Sequence, residues 1–138
     1  MNVLVYAVRA EMPEHTAVRS WLTQAIRDRE PLAVCETVLS GLVRVATNPR
    51  IFQKPQSARV FDFVDVLRAA RTVHFLAPDD ATWARLRGLC ETDAALRGSQ
   101  VTDAFLAALA ISHGARLATR DRGMARFDGL RFFDPIAT

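Results

Sequence analysis

The chain has 138 residues, half of them apolar, enough for one domain with a sizeable core. Its net charge of +3 is modest, but 17 of its 18 bases are Arg and Lys54 is the only lysine; an Arg-rich surface suits phosphate, although Arg-favouring base composition would leave the same excess. Cys35 and Cys90 lie in apolar segments, and His15, His74 and His113 lack a nearby His or Cys, which excludes a disulfide framework and argues against zinc.

Asn2 to Val8 (NVLVYAV) is apolar enough for a buried strand or the first turns of a buried helix, and periodicity does not separate the two. After Pro13, the apolar positions Ala17, Val18, Trp21, Leu22, Ala25 and Ile26 predict an amphipathic helix of about four turns. Leu32 to Cys35 reads as a short buried strand. Glu36 opens a helix to about Thr47, which Asn48 and Pro49 stop. Ser57 is the expected N-cap of a helix to about Ala70, with Val60, Phe61, Val64 and Leu67 as its apolar face. Val73 to Ala77 is a second strand, and Asp80 is expected to cap the following helix, which carries Trp83, Leu86 and Leu89. Beyond the polar loop from Arg97 to Gln100, Thr102 and Asp103 start the most apolar helix (AFLAALAIS), closed by Gly114. Arg116 to Thr119 is a third strand, Arg122 to Phe127 a turn of helix, and Leu130 to Phe133 an edge strand.

Strands separated by helices imply a parallel sheet covered on both faces, so the expected fold is α/β. No repeat, linker or low-complexity tract divides it, which predicts a single domain over residues 1–138. No apolar run of about 18 residues could span a membrane and no leader pattern is visible, so the expected location is cytoplasmic.

Glu36, Asp103 and Asp121 each sit where an apolar strand-like run yields to a helix start or a loop. In open α/β sheets, ligands gather at the carboxyl ends of strands, so carboxylates distant in sequence can converge there. Three such groups could not stay together without a cation: a pair about 5 Å apart repels by roughly 3 kcal/mol at an effective dielectric near 20. Oxygen-only ligation suits Mg²⁺ or Mn²⁺, and the matching chemistry is phosphodiester hydrolysis. Each residue has a plainer reading. Asp103 could merely complement a helix dipole, and Asp121 could belong to a simple turn. Along the helix after LAVC, Glu36, Ser40 and Arg44 fall at i, i+4 and i+8, close to Thr47, as a polar line that meets water or lines a cleft.

These segments resemble a PIN-domain ribonuclease of the VapC toxin kind. The likeness rests on NVLVYAVRA, on Glu36 with LSGLVRVATNPRIF, on VTDAFLAALA around Asp103 and on LATRDRGMARFDGLRFFDP around Asp121, in family order. It implies a PIN-like three-layer α/β/α fold with a mostly parallel central sheet. It further implies a toxin endoribonuclease in which Glu36, Asp103 and Asp121 hold Mg²⁺ or Mn²⁺. Thr119 and Asn2 support them, and Arg44 positions phosphate or pairs with the cluster. Structured RNA such as tRNA or rRNA is the implied substrate, a VapB-type antitoxin the implied partner, and a homodimer the implied assembly. Arg50, Lys54, Arg120 and Arg122 are candidates for RNA backbone contact.

One departure from the family pattern stands at the start. The family opens with a strand ending in Asp, one further residue, then Asn. Asn2 matches that Asn, Met1 takes the intervening position, and the first metal-binding Asp would precede this chain. Asn2 to Val8 then begins the first helix, and the central strand is missing. Burying about five such strand residues, at about 2 kcal/mol each, rivals a domain's net stability, so the expectation is a destabilised chain or a start further upstream. The alternative function is a catalytically impaired PIN-like module that binds antitoxin or RNA without cleaving. A receiver-like domain is disfavoured because no lysine follows a late strand, and a dinucleotide enzyme because no Gly-rich loop follows a strand.

Overall fold

The computed structural model describes residues 2–137, so the expectation attached to Met1 lies outside the described residues. The chain forms two compact units, one running to Phe75 and including the segment from Pro135, the other Leu76–Asp134.

In the first unit, the ambiguous opening segment is a helix, α1 (Asn2–Val8), with Val3, Val5, Ala7 and Val8 all buried. The next helix, α2 (His15–Arg27), buries Val18, Leu22 and Ala25 at the i, i+4, i+7 spacing of one helical face. A short strand, β1 (Leu32–Val34), passes through extended Cys35 into α3 (Glu36–Ala46), which buries Leu39, Leu42 and Ala46. Then follow α4 (Ser57–Ala69) and β2 (Val73–Phe75). β1 and β2 pair in parallel with Leu32 opposite Val73, the connection between them carrying two helices as parallel pairing requires. Val3, Val18, Leu22, Leu42, Val60 and Leu67 form the centre of this unit's core.

The second unit contains α5 (Asp80–Thr92), α6 (Gln100–Ser112), β3 (Arg116–Ala118), a 3₁₀ turn (Arg122–Arg126) and β4 (Arg131–Phe133). β3 and β4 pair in parallel, with Leu117 opposite Phe132. Its core gathers Leu86, Leu96, Ala104, Ala107, Ala108, Met124 and Phe127. Helix α6 buries Ala104 and the run Leu106 to Ala110, the most apolar stretch of the chain. The fold is thus α/β with parallel strands, and its described strands form two two-stranded ladders.

Several boundaries differ from the sequence reading. The expected strands each end one or two residues earlier, at Val34, Phe75 and Ala118, and the last begins at Arg131 rather than Leu130. The helix containing Asp103 begins at Gln100, so Asp103 is its fourth residue. Ser57 is not the N-cap of α4: Gln56 is, held in left-handed backbone at φ +48°, a conformation that costs a non-glycine residue on the order of 1–2 kcal/mol. Phe61 is not on the buried face but 52% exposed, because Val60, Val64 and Leu67 already fill the stripe and Phe61 points about 100° away. Asp79, not Asp80, caps α5, its carboxylate accepting from Thr82 N (2.9 Å) in a reciprocal capping box. Both cysteines are free, Cys35 buried and Cys90 half-buried.

Leu42 is fully buried in the first unit's core. Leu42→Ala is expected to cost about 2–5 kcal/mol in urea unfolding, whereas Phe61→Ser, on the exposed side of α4, should stay within about 0.5 kcal/mol of the parent.

Candidate metal centre

The second unit positions three of the sequence-derived site residues. β3 delivers the chain to Thr119, which is buried and whose backbone N–H donates to the Phe133 carbonyl (2.9 Å), extending the ladder by one bond. The Thr119 hydroxyl then accepts from the Asp121 backbone N–H (3.1 Å), fixing the turn out of the strand. Asp121 caps the 3₁₀ turn, one carboxylate oxygen accepting from Gly123 N–H at 2.8 Å.

Sequence reasoning missed Gly123. A Cβ there would stand 2.9 Å from Asp121 Oδ1, closer than real contacts allow, so the glycine is what lets the carboxylate lie against the backbone. The signal was present in the run Asp121-Arg122-Gly123.

Asp103 extends from the first turn of α6. Its carboxyl is held above the ordinary carboxylate pKa, first by desolvation and second by the negative charge of Asp121, with Arg126 opposing the rise. This separates the two readings of Asp103. A carboxylate that only complements a helix dipole is stabilised in its charged form. Asp103 is pushed the other way, chiefly by desolvation and then by the charge of Asp121.

Arg126 is the second residue that the sequence did not flag. Its guanidinium donates to Asp93 Oδ2 (2.8 Å), lies 5.7 Å from the Phe127 ring centroid, and lowers the pKa of Asp93. Arg120, a candidate RNA contact, is engaged in an ion pair with Asp134 at 3.1 Å, while Arg122 is exposed.

The other site residues belong to the first unit. Glu36 is the first residue of α3, directly past the end of β1, and is exposed. Ser40 and Arg44 continue the same exposed line, with Thr47 half-buried at its end and its hydroxyl bonded to the Val43 carbonyl (2.6 Å). Asn2 opens α1, and its side-chain Oδ1 is buried without a hydrogen-bond partner among the described residues. Asp103 and Asp121 belong to the same unit, and the charge of Asp121 acts on the carboxyl of Asp103. Among the described residues, no group of three or more His, Cys, Asp or Glu side chains is placed to hold a metal ion.

A carboxyl whose ionisation is opposed by desolvation and by the charge of Asp121 fits an oxygen site for a hard divalent cation.

A PIN domain model matches residues 1–130, spanning parts of both units. The VapC ribonuclease Mb2897 of Mycobacterium bovis is 40% identical to this chain over 137 residues, covering 99% of this chain and 92% of that protein. Ribonuclease VapC31 of Mycobacterium tuberculosis is 35% identical over 135 residues, covering 97% and 94%. A chain from the crystal structure of VapBC2 from Rickettsia felis, bound to a DNA fragment from their promoter, superposes with a TM-score of 0.68 at 17% identity, over 96% of this chain and 92% of that one. The chain belongs to the PIN-domain family and, within it, to the VapC ribonucleases of toxin–antitoxin systems.

Because the folded state holds Asp103's proton more tightly than the unfolded chain does, its contribution to stability is complete below the unfolded pKa. It is lost as pH rises through the raised folded value. In metal-free buffer, urea unfolding should show wild-type stability falling over that interval and a flatter profile for Asp103→Asn. Identical pH profiles would contradict the assignment.

Proposed function

We propose that this chain is a metal-dependent toxin endoribonuclease, a single PIN domain that hydrolyses RNA phosphodiester bonds. The observation that carries the reading is the Asp103–Asp121 pair, in which one carboxyl is driven towards its protonated form by burial and by the other's charge. Membership of the VapC ribonucleases supplies the reaction class.

Asp103 and Asp121, with Glu36, would hold Mg²⁺ or Mn²⁺. When bound, the cation polarises the phosphoryl group and makes water acidic enough to attack at neutral pH. The chain's own residues prepare for that chemistry. Gly123 N–H occupies one Asp121 oxygen and fixes the carboxylate's orientation. Thr119 anchors the Asp121 backbone, so the carboxylate does not swing with the turn. Arg126 limits the charge imbalance without joining the pair, because its guanidinium is held by Asp93. Asn2, whose Oδ1 is buried without a partner among the described residues, is a further candidate support, and exposed Arg44 and Arg122 are candidates for the RNA backbone. In the reaction, water's oxygen bonds to phosphorus, the bond to the leaving oxygen breaks, and that oxygen takes up a proton.

The substrate class is structured RNA such as tRNA or rRNA, and the controlling partner a VapB-type antitoxin. The proposal extends to a cytoplasmic homodimer. Among the described residues no helix is long and apolar enough to cross a membrane. A second reading, a PIN-like module that binds without cleaving, is favoured by the lack of a three-carboxylate group among the described residues.

Cleavage of a total tRNA and rRNA mixture by the purified chain in Mn²⁺ separates the two. The enzyme reading predicts cleavage abolished by EDTA and slowed at least about a hundredfold in Asp103→Asn or Asp121→Asn, the scale of losing several kcal/mol of electrostatic stabilisation. RNA binding that is indifferent to EDTA and to Asp103→Asn, with no cleavage, would favour the binding module.

A further inference from the structure

Among the described residues Arg9 is the largest fully buried side chain, 1% exposed, although it ends in a guanidinium. Its two Nη groups reach one segment, the loop of residues 47–56 between α3 and α4, while Nε is buried with no hydrogen-bond partner among the described residues. Nη2 donates to the Lys54 carbonyl (2.7 Å), and Nη1 to Gln56 Oε1 (3.1 Å) and the Pro55 carbonyl (3.4 Å). The guanidinium plane lies over the Phe52 ring, 4.0 Å from its centroid, and half-exposed Glu11 stands 3.4 Å from Nη2. Four loop residues are thus held by one side chain.

Stability alone does not call for this arrangement. A buried ion pair is often replaceable by an apolar side chain of similar volume without loss. What a guanidinium adds is geometry, a rigid fork that accepts only one arrangement of carbonyls. The loop it shapes is fixed at the other end by Asn48, whose carbonyl accepts from Ile51 N–H (3.0 Å) and Phe52 N–H (2.9 Å) and whose side chain accepts from Arg50 N–H (2.9 Å). Phe52 is buried, while Arg50, Ile51, Gln53 and Lys54 are exposed. Two cations, one of them the chain's only lysine, therefore stand on a loop whose backbone is locked from below.

This loop continues the exposed polar line of α3. Glu36, Ser40 and Arg44 lie along one face of the 11-residue helix, and the loop begins where the helix ends, about 16 Å further along the axis. We propose that Arg9 is a positioning residue for RNA: it builds the loop so that Arg50 and Lys54 grip the RNA backbone as it runs along α3 away from Glu36. The inference rests on the endoribonuclease reading and adds to it a substrate track and the residue that shapes it.

The test is anisotropy of a fluorescein-labelled, mixed-sequence single-stranded RNA 20-mer, titrated with the full chain carrying Asp103→Asn so that the probe stays intact. In that background Arg50→Gln with Lys54→Gln should weaken binding roughly tenfold at 0.1 M salt and reduce the slope of log affinity against log salt by about 1.4, the release of two single-strand phosphates. Arg9→Met, which keeps the volume but loses the fork, should reproduce both changes. Adding it to the double variant should bring no further loss, since the three act as one unit. Should Arg9→Met not fold, Arg9→Lys, which keeps the charge without the fork, is expected to show the same loss.

Unchanged RNA affinity in a folded Arg9 variant, or a loss that adds in full to that of the double variant, would overturn the positioning role. Unchanged affinity in the Arg50 and Lys54 variant would remove the track while leaving the enzyme reading in place. No RNA binding in the parent, joined to no cleavage by the wild type, would take down both.

Discussion

Asp103's carboxyl, held above the ordinary carboxylate range by desolvation and then by the charge of Asp121, is the constraint on which the candidate site of the second unit depends. Within the unit the relief is only partial. Arg126, whose charge opposes the rise in Asp103's pKa, is held by Asp93, and the Gly123 amide is a neutral dipole serving one oxygen of Asp121. A protein that needed only stability would have separated the pair or placed an arginine between them, because like charges in a partly desolvated setting oppose folding. Instead the backbone is arranged to keep both in place. β3 ends at Ala118, Thr119 ties the exit turn, and the buried, small-residue helix α6 holds Asp103 at its opening turn.

The strand and helix pattern was readable from the sequence because its apolar periodicities are clear. The face of α2 and the buried length of α6 follow directly from residue spacing. The misreadings share a cause: tertiary partners overrode local preference. Gln56 takes the cap of α4 because Arg9 engages its side chain, and a left-handed glutamine is not something propensity predicts. Phe61 stays exposed because three aliphatic side chains suffice to cover that helix. Asp79 displaced Asp80 because only Asp79 has Thr82 three residues ahead of it.

The candidate site was legible to a different degree. Its carboxylates could be named from their places after apolar runs, and the likeness to PIN-domain ribonucleases gave them roles. What spacing could not give was their environment. Whether Asp103 complements a helix or faces another anion depends on which side chains lie near it, and that is decided by packing among residues 18 positions apart in sequence. Gly123 and Arg126 were hidden for the same reason, since a glycine's close approach and an arginine's partner are facts of three dimensions. Arg9 was least legible of all, a charged residue in an apolar opening segment whose partners lie more than 40 residues away.

The central claim is that the Asp103–Asp121 pair awaits a divalent cation. Calorimetric titration of the metal-free chain with Mn²⁺ at mildly acidic pH, run in two buffers of different ionisation enthalpy, tests it most directly. If the claim holds, Mn²⁺ binds with release of a proton from Asp103, because a cation lowers a raised carboxyl pKa, and Asp103→Asn loses both the affinity and the proton release. Mn²⁺ binding of equal strength in wild type and Asp103→Asn, with no protons released, would contradict it.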